Sequence, residues 1–391
     1  MKPSECALAT QHRARPLSWS DRWFAWRNRL LASPAFQRRG AAFALTRPIA
    51  RRRARQLFDL VAGFVYSQVL LACVRLKLFD VLAEGPQTVA ALSARLSVPA
   101  DGMLRLLAAA VSLQLVERRG GDRYGLGSLG ATMVGNTAVA AMVEHHGALY
   151  ADLDDPLALL RGKVQATEVA RYWAYGDASL PAAANAAAAE RVRRYSALMS
   201  ASQPLVAEQI LDAYSLACHR CLLDVGGGEG TFLAAAAART PTLDLMLFDL
   251  PAVAERAQSR LSAQGLAARA KVTGGDFLRD PLPKGADVAT LVRVIHDHDD
   301  PQALAILQAV RRALPAGGTL LLAEPMSDTP GAEPIGDAYF GFYLLAMGRG
   351  RPRTTAELSG LLLAAGFGQV RQLPTRMPLQ SGLLLARVTS A

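Results

Sequence analysis

The fold can be placed from one stretch of the sequence, Leu222-Leu223-Asp224-Val225-Gly226-Gly227-Gly228-Glu229-Gly230-Thr231-Phe232. The apolar residues up to Val225 predict a buried strand, and the alanine-rich run after Thr231 predicts a helix. The glycines between them suit a turn in which the backbone takes positive φ or comes close to a ligand. A strand, a glycine turn and a helix in this order are typical of a nucleotide-binding α/β fold.

The glycine spacing and the nearby acids indicate which nucleotide is held. A dinucleotide site needs glycines at the first, third and sixth positions, but the sixth position counted from Gly226 is Thr231. A carboxylate at Asp224 would repel a phosphate and attract a cationic ligand with an amino group. Asp249, roughly 20 residues further on, suits ribose hydroxyls. The pattern predicts S-adenosylmethionine as cofactor, and a glycine turn in another α/β domain is the alternative.

The positive charge of the chain is concentrated at one end. The 391 residues carry a formal net charge of +10, and 51% of them are hydrophobic, enough to fill the cores of two domains. Residues 1–55 hold thirteen of the 43 basic side chains and two of the 33 acidic ones, so the rest of the chain is close to neutral. The basicity therefore belongs to an N-terminal arm and does not indicate a nucleic-acid-binding body.

Cysteine usage and hydropathy limit the compartment. Four scattered cysteines do not form a disulfide framework, which favours a reducing cytoplasm. Cys218 and Cys221 have C-x-x-C spacing, but no second pair completes a zinc site, so no metal is predicted. No cleavable signal peptide is visible. The longest apolar run, 60–74, falls short of the roughly 20 residues of a spanning helix, so we expect a soluble or peripheral protein.

The arm carries a stripe of aromatic residues. Trp19, Trp23, Trp26 and Leu30 share one face of a predicted helix, and arginines fall on its other faces. A basic helix with an indole stripe is typical of segments that lie in a membrane interface among anionic headgroups. We therefore expect peripheral membrane contact through residues 1–55, and an arm packed on an oligomer partner is the alternative.

From residue 56 to about residue 132 the order of elements is that of a winged helix. Apolar periodicity predicts helices at 58–76, 88–96 and 99–113, followed by a hairpin at 115–126 with a Gly-Gly turn. The helix at 99–113 offers one arginine and no Asn, Gln or Lys for base edges, and its apolar surface predicts burial nearly all round. We therefore expect protein contact, and no nucleic acid, from this module.

Strands and helices alternate from Cys221 onward. Apolar runs predict strands at 222–225, 243–248, 270–273, 288–294 and 319–324, with a closing pair around 368–372 and 382–388. This alternation predicts an α/β fold with a doubly wound, mostly parallel sheet. Such a sheet holds its ligands at the carboxyl ends of its strands.

Chemically useful side chains follow three of these strands. Asp276 and Phe277 follow the third strand, where a carboxylate and a ring suit an adenine. His296 follows the fourth strand and Glu324 ends the fifth, so the glutamate is placed to orient a histidine base. The alternative for this histidine and the aspartates after it is an acidic cap on the next helix.

The order of these motifs resembles that of the S-adenosylmethionine-dependent O-methyltransferases of the plant caffeate and bacterial small-molecule type. The resemblance rests on Asp224-Val225-Gly226-Gly227-Gly228-Glu229-Gly230, Phe248-Asp249-Leu250-Pro251, Gly274-Gly275-Asp276-Phe277, Arg293-Val294-Ile295-His296-Asp297 and Ala323-Glu324-Pro325. It implies a Rossmann-like methyltransferase sheet, an N-terminal α-helical winged-helix dimerisation domain and a homodimer. The implied divisions are an arm at 1–55, the dimerisation domain at 56–200 and the S-adenosylmethionine-binding domain at 201–391.

Carried over by position, the resemblance implies a role for each motif residue. Cofactor contacts are implied for Asp224, Gly226, Gly228, Asp249, Leu250, Asp276, Phe277 and Arg293. His296 matches the family's catalytic base and Glu324 its orienting acid. Acceptor contacts are expected from Tyr195 and Met199, which match an aromatic-x-x-x-Met motif, and from Phe340, Tyr343 and Met347 in an apolar run that core packing alone would also explain.

Within the family, the segments 293–300 and 348–355 resemble those of purple-bacterial carotenoid hydroxyl methyltransferases, which act on 1-hydroxyneurosporene and demethylspheroidene. This resemblance implies a lipophilic carotenoid acceptor with a tertiary C1 hydroxyl, and a cytoplasmic enzyme peripheral to the inner, photosynthetic membrane. Two positions depart from the plant pattern. His298 replaces a tryptophan, and Pro352 replaces a second catalytic glutamate, which puts in doubt a base held by two acids.

Two rival functions stay open at this point. One is the same chemistry on a phenolic or polyketide hydroxyl, with the arm used for oligomer contacts. The other is a winged-helix DNA-binding regulator that senses the cofactor, which salt-sensitive duplex binding without residues 1–55 would favour.

Overall fold

The structure, a computed structural model, describes residues 18–164, 166–172, 186–378 and 381–389. The side chains at 172, 186–197 and 201 lie outside this description, and with them the predicted acceptor contact of Tyr195. The chain divides into two units, Met1–Ala72 and Cys73–Ala391. The domain boundaries expected after residues 55 and 200 stay predictions.

The first unit contains helices Trp19–Ala32 and Pro34–Ala42 and most of a third, Arg47–Arg75. Ser18 caps the first helix, because its hydroxyl accepts the Asp21 N–H at 3.1 Å while the Asp21 carboxylate accepts the Ser18 N–H. Neither of the first two helices contains a buried side chain. The predicted helix with the tryptophan stripe is confirmed, and its indoles face outward from this chain.

The third helix is longer than its sequence pattern predicts. It begins at Arg47 instead of Phe58, because arginine and alanine favour a helix without adding an apolar stripe. One 18-residue stretch of it is apolar and long enough to cross a membrane by length and composition alone. The expectation that no helix reaches that length is therefore wrong. Only 6% of the stretch is buried within the chain, so most of its apolar surface is exposed.

The second unit begins with the predicted winged-helix order. Helices Val89–Leu96 and Ala100–Ser112 precede a hairpin whose turn has positive φ at Gly121 and Asp122. The small sheet has the strand order Gln87–Thr88, Arg123–Leu126, Val116–Arg119. Helix Ala100–Ser112 buries one face only, and Leu104 on another face is 45% exposed. The expectation that this helix is buried nearly all round is therefore wrong.

A seven-stranded sheet forms the centre of the second unit. Its order is Phe367–Leu373, Gly382–Val388, Thr319–Glu324, Val288–Val292, Cys221–Val225, Asp244–Asp249, Ala270–Gly274. The last five strands in this order are parallel, and Gly382–Val388 runs antiparallel to both of its neighbours. The predicted doubly wound, mostly parallel α/β sheet is confirmed.

Helices cover both faces of the sheet. Successive side chains of a strand point to opposite faces, so Leu222 packs under helix Thr231–Arg239 and Leu223 under helices Asp300–Ala313 and Thr355–Ala364. Burial on both faces explains why the strands are nearly continuous apolar runs. The other helical elements are Leu78–Ala83, Ser128–Ala131, Thr137–Asp152, Pro156–Leu160, Glu168–Tyr172, Ala186–Ala213, Pro251–Ala263, the single turn Ile295–Asp297, the π-helical segment Pro334–Phe340 and Gly341–Met347, and the short strands Met326–Ser327 and Arg353–Thr354 form a parallel pair.

At the amino ends of two parallel strands, a histidine lies between a phenol and a carboxylate. His219 places Nδ1 3.1 Å from Asp287 Oδ2 and Nε2 2.8 Å from the Tyr214 hydroxyl. Asp287 also accepts the backbone N–H groups of Arg220 and Cys221. These contacts join the end of helix Ala186–Ala213 to the start of the sheet.

Candidate active site

The glycine turn adopts the conformations that its sequence predicts. Gly226 and Gly228 have φ values of +69° and +57°, in the left-handed region that favours glycine. A Cβ on Gly226 would lie 2.8 Å from Val294 Cγ2, whereas a Cβ on Gly228 would meet no atom within 4 Å. The first glycine is therefore required by packing, and the second leaves its backbone open to a ligand.

A cavity of about 310 Å³ opens beside this turn at the carboxyl ends of the parallel strands. The predicted cofactor and acceptor residues among those that line it are Met199, Gly226, Gly228, Asp249, Leu250, Asp276, Phe277 and Arg293. Asp297, His298 and Arg349 line it as well and were not predicted as cofactor contacts. The strands thus bring together side chains that lie up to 150 residues apart in sequence.

Asp249 is held rigidly at the edge of the cavity. Its Oδ2 accepts the Gly228 N–H at 2.8 Å, and its Oδ1 accepts the Leu250 N–H at 2.7 Å. Burial raises the pKa of Asp249 to about 6, although these two N–H groups and Arg256 oppose the rise. Each oxygen keeps a second lone pair, so the carboxylate can accept from ribose hydroxyls while the turn stays fixed.

Asp224 lies below the turn and does not line the cavity. It is 1% exposed, and its Oδ1 accepts the Thr290 hydroxyl at 2.7 Å. Its Oδ2 has no hydrogen-bond partner among the described residues and would lie 2.6 Å from a Cβ on Gly227. Burial raises the pKa of Asp224 to about 7, against the opposing effect of the Thr290 bond. Its direct contact with a cofactor stays a prediction.

The predicted adenine side of the cavity has a second aromatic side chain. The Phe277 ring meets the imidazole of His298 edge to face, with centroids 5.4 Å apart. Burial lowers the pKa of His298 to about 4, so this imidazole is neutral near pH 7. Asp276 accepts the Leu278 N–H at 2.9 Å through Oδ1. His298 therefore takes the place of the tryptophan of the plant pattern as a flat, uncharged wall.

Arg293 directly follows strand Val288–Val292, which ends two residues before the predicted end. Its φ of +57° is unusual for a side chain other than glycine, and such strain is typical of functional sites. Its guanidinium donates to the Ser202 hydroxyl at 2.9 Å and to Gln203 Oε1 at 3.0 Å. The side chain thus ties helix Ala186–Ala213 to the rim of the cavity, and its predicted cofactor contact stays a prediction.

His296 lies between two carboxylates, one at each ring nitrogen. Its Nδ1 is 2.5 Å from Glu324 Oε2, and its Nε2 is 3.1 Å from Asp297 Oδ1. The other oxygen of Glu324 accepts the N–H groups of Val294 and Ile295 at 3.0 and 2.7 Å. The glutamate is therefore fixed by three hydrogen bonds, and the geometry predicted for His296 and Glu324 is present.

Electrostatics favour the charged form of this imidazole. Burial by itself would lower the pKa of His296, but the charges of Asp297 and Glu324 outweigh burial and raise it. Burial raises the pKa of Asp297 to about 6, and the charge on His296 opposes that rise. Pro352 replaces the second glutamate of the plant pattern, but a second acid still lies beside His296. That acid is Asp297, the next residue in the sequence.

Arg353 was missed as a site residue. It is 2% exposed, and it donates to the carbonyls of Ile295 at 2.8 Å and His298 at 2.7 Å. It also donates to Asp300 Oδ1 at 2.7 and 2.9 Å. This guanidinium therefore fixes both ends of the turn that carries His296. In the sequence, Arg353 is one arginine in a short polar segment. Nothing in that segment indicates a contact with the His298 carbonyl, 55 residues earlier.

The predicted acceptor residues with described side chains lie in three places: Phe340 and Tyr343 lie near His296, Met199 lines the cavity, and Met347 lies in an apolar core. Phe340 meets His296 edge to face, with centroids 6.0 Å apart, and Tyr343 lies 6.5 Å from Phe340. Met199 is half-buried, with its sulfur 3.7 Å from an Arg293 nitrogen. Met347 is 3% exposed in a small apolar core with Leu344 and others, so its acceptor contact stays a prediction.

The site fits S-adenosylmethionine. An open glycine backbone, a fixed carboxylate at Asp249 and the rings of Phe277 and His298 suit an amino-acid chain, a ribose and an adenine. The Oδ2 atom of Asp224 lies buried and without a hydrogen-bond partner among the described residues below the turn, where a nearby cation would favour the ionised form of this carboxyl. Among the described residues no group of three or more His, Cys, Asp or Glu side chains is arranged to hold a metal.

Comparisons with known proteins agree with this geometry. The O-methyltransferase domain family matches residues 150–368, and the O-methyltransferase dimerisation domain matches residues 58–142. Demethylspheroidene O-methyltransferase of Cereibacter sphaeroides is 45% identical over 350 residues, covering 90% of this chain and 91% of that protein. The Rhodobacter capsulatus protein of the same name is 39% identical over 341 residues, covering 86% and 83%. Human N-acetylserotonin methyltransferase in complex with SAM superposes with a TM-score of 0.70 at 28% identity, covering 86% of this chain and 98% of that one.

Proposed function

This chain belongs to the family of S-adenosylmethionine-dependent O-methyltransferases, and from that membership we propose that it methylates the tertiary C1 hydroxyl of an acyclic carotenoid. The observation that carries the proposal is the 45% identity to demethylspheroidene O-methyltransferase, which extends over nine-tenths of both chains. Relatives that act on acetylserotonin are 33% identical or less. The carotenoid acceptor is thus favoured over the phenolic or polyketide alternative.

The chain is an enzyme, and its cofactor is S-adenosylmethionine. When bound, this cofactor supplies an electrophilic methyl group to the acceptor oxygen. Gly226 and Gly228 would hold its amino-acid end, Asp249 its ribose, and Phe277 its adenine. All four residues line the cavity at the carboxyl edge of the sheet, and Asp249 is fixed there by two backbone N–H groups.

The proton of the acceptor hydroxyl would pass to His296. A tertiary alcohol is a far weaker acid than an imidazolium ion, so its proton can leave only as the new carbon–oxygen bond forms. Alignment of oxygen and methyl carbon then contributes most of the acceleration, since well-oriented groups reach very large effective molarities. Glu324 keeps the histidine oriented and stabilises its charged form, because the glutamate is itself fixed by two backbone N–H groups.

The surface next to His296 suits a hydrocarbon acceptor. Phe340 borders the imidazole directly, and Tyr339 and Tyr343 extend the aromatic surface away from it with centroids 5.0 and 6.5 Å from Phe340. An apolar wall gives a phenolic acceptor few polar groups to pair with, while a polyene can lie along it. Tyr195 and Met199 are assigned to the same acceptor region on family resemblance.

The dimerisation domain at 58–142 supports assembly as a homodimer. Residues 1–55 would add peripheral contact with the cytoplasmic side of an anionic inner membrane, where a carotenoid resides. Three observations support this part of the proposal: Trp19, Trp23 and Trp26 are 88%, 56% and 52% exposed, no side chain of their helix is buried, and thirteen basic residues surround it in the arm. Indoles at the acyl boundary and arginines among headgroups are a stable arrangement.

The function is tested by methyl transfer from labelled S-adenosylmethionine to a 1-hydroxylated acyclic carotenoid in liposomes, run beside catechols and hydroxyquinones. We expect label in the carotenoid ether. Label confined to the phenols would keep the fold and cofactor and overturn the carotenoid assignment.

The membrane contact is tested by flotation of the full chain with anionic liposomes, with and without residues 1–55. We expect flotation to be lost without the arm and to fall with salt when the arm is present. Flotation that does not change on removal of the arm would contradict the proposal. Resistance to alkaline extraction would instead indicate that helix Arg47–Arg75 spans the bilayer.

A further inference from the structure

Tyr339, Phe340 and Tyr343 form the aromatic surface next to His296, which we call the acceptor wall. Two adjacent histidines contact this wall and have no part in the chemistry described so far. His145 Nε2 lies 2.9 Å from the Tyr343 hydroxyl, and His146 Nε2 lies 2.9 Å from the Tyr339 hydroxyl. The two pairs cross from helix Thr137–Asp152 to the helical segment that carries Phe340, nearly 200 residues later. Both phenols of the wall are thus anchored on one neighbouring helix.

The two tyrosine rings connect these histidines to His296. Tyr339 and Tyr343 stack with centroids 6.0 Å apart, and each meets Phe340 edge to face. Phe340 in turn meets His296 edge to face. A continuous set of ring contacts therefore runs from the anchored phenols to the imidazole at the reaction centre.

We propose that His145 and His146 are positioning residues for the acceptor. Each holds the hydroxyl of one tyrosine toward helix Thr137–Asp152, so that ring surfaces and not hydroxyls form the wall next to Phe340. This inference rests on the proposed function, since its consequence is recognition of a long hydrocarbon chain by an apolar surface.

The histidines keep the polar group of each tyrosine away from the ring surface that faces the guest. Dispersion contacts are individually weak and non-directional, whereas a hydrogen bond fixes the direction of its donor and acceptor. A tyrosine whose hydroxyl is bound cannot turn that polar group toward an apolar guest. Loss of either histidine would therefore leave a polar hydroxyl free to face the guest.

The charge state of the histidines is consistent with the role. Burial, helped by the neighbouring His146, lowers the pKa of His145 to about 4, and burial also lowers the pKa of His146. Both imidazoles are therefore neutral near pH 7. A cation behind the wall would hold water, which an apolar acceptor cannot replace.

A double-mutant cycle on His146 and Tyr339 tests the proposal. Among the described residues, His146→Leu leaves the Tyr339 hydroxyl with only the weak Met142 sulfur acceptor at 3.5 Å. Loss of one such hydrogen bond corresponds to roughly tenfold in an equilibrium constant. We expect KM for the carotenoid to rise about tenfold, with kcat and the KM for S-adenosylmethionine changed by less than about twofold. His146→Gln, which keeps a hydrogen-bonding group, should restore most of the affinity.

The double variant His146→Leu/Tyr339→Phe distinguishes positioning from bulk packing. It removes both partners and leaves no orphaned hydroxyl, so we expect KM to return to within about threefold of wild type. A double variant as poor as His146→Leu would overturn the proposal, as would equal losses in kcat and both KM values. Tyr339→Phe serves as the variant that keeps the ring and the fold if His146→Leu does not fold. Wild type that fails to methylate the carotenoid refutes the proposed function itself, whereas active wild type with an unchanged His146→Leu refutes only this inference.

Discussion

Two histidines of this protein lie at opposite ends of the parallel strands, and each has a carboxylate at Nδ1 and a second polar group at Nε2. At the carboxyl edge, His296 lies between Glu324 and Asp297, and at the amino edge His219 lies between Asp287 and Tyr214. In both sets the Nδ1 atom faces a carboxylate that also accepts two backbone N–H groups. The local geometry of a histidine and an acid therefore does not distinguish a reaction centre from a structural clamp.

The surroundings make the difference. Asp297 and His298, which follow His296, line the cavity, whereas His219, Asp287 and Tyr214 do not. The Nε2 of His219 is occupied by a phenol, while the Nε2 of His296 faces a carboxylate that can exchange a proton. In an α/β sheet, ligands bind outside the carboxyl ends of the strands, and that rule assigns the proposed catalytic role to His296 and a structural role to His219.

The sharpest test of this comparison is His296→Ala. Removing a general base typically costs 10²–10⁴-fold, so we expect kcat to fall by at least about 10²-fold. The variant also leaves the buried Glu324 carboxylate without its imidazole partner, so we expect Tm to fall as well. Single-turnover methyl transfer measures the effect. Turnover close to the wild-type rate would remove the base assignment and make the two histidines equivalent.

Glu324→Gln should give the next largest effect. The amide carbonyl can keep the two backbone N–H bonds, but the amide nitrogen would then donate to Nδ1 and favour the wrong tautomer of His296. We expect kcat to fall about 10²-fold while binding of S-adenosylmethionine, measured by calorimetry, stays within about twofold. A loss in cofactor affinity as large as that in kcat would indicate a collapsed site instead.

His219→Ala is the matched variant at the other edge. It leaves the Tyr214 hydroxyl without its imidazole partner, and a lost buried hydrogen bond costs about 1–3 kcal/mol. We expect the free energy of unfolding to fall by about that amount in urea titrations, with kcat within about twofold of wild type. A selective loss of kcat without a loss of stability would contradict the division of roles.

Asp297→Asn should produce the smallest change, and it appears in the pH profile. A base works when deprotonated, so kcat/KM rises as pH passes through the raised pKa of His296. The Asp297 carboxylate helps to raise the pKa of His296 once the carboxylate is itself ionised, above about pH 6. Removing it should lower the pKa of His296 and move the rising limb to lower pH by up to about one unit. An unmoved limb would show that Asp297 does not act on this imidazole.

The sequence predicted the framework better than the contacts that position the site. The strand that leads into Gly226, the position of Asp249 and the pairing of His296 with Glu324 all follow from strand order, because parallel strands end at one edge. The end of strand Val288–Val292 did not follow, since the left-handed φ of Arg293 has no signal in an apolar run that continues through Val294.

Other parts of the site depend on the turn and on distant segments. A histidine and an aspartate that are adjacent in a strand would face opposite sides, but the single helical turn Ile295–Asp297 brings Asp297 to the Nε2 atom of His296. The contacts of Arg353 and of His145 and His146 bridge about 55 and 200 residues. Such pairings depend on how helices and loops pack, which periodicity and spacing do not encode.

The antiparallel strand Gly382–Val388 lies between Thr319–Glu324 and Phe367–Leu373. Strand Thr319–Glu324 therefore gains this neighbour only after some sixty further residues have been made. While the chain is being translated, Thr319–Glu324 is an open apolar edge until residue 388 has left the ribosome. Open edges of this kind are sites of wrong pairing. Biosynthesis of this protein is therefore most exposed to aggregation at the strand that carries Glu324.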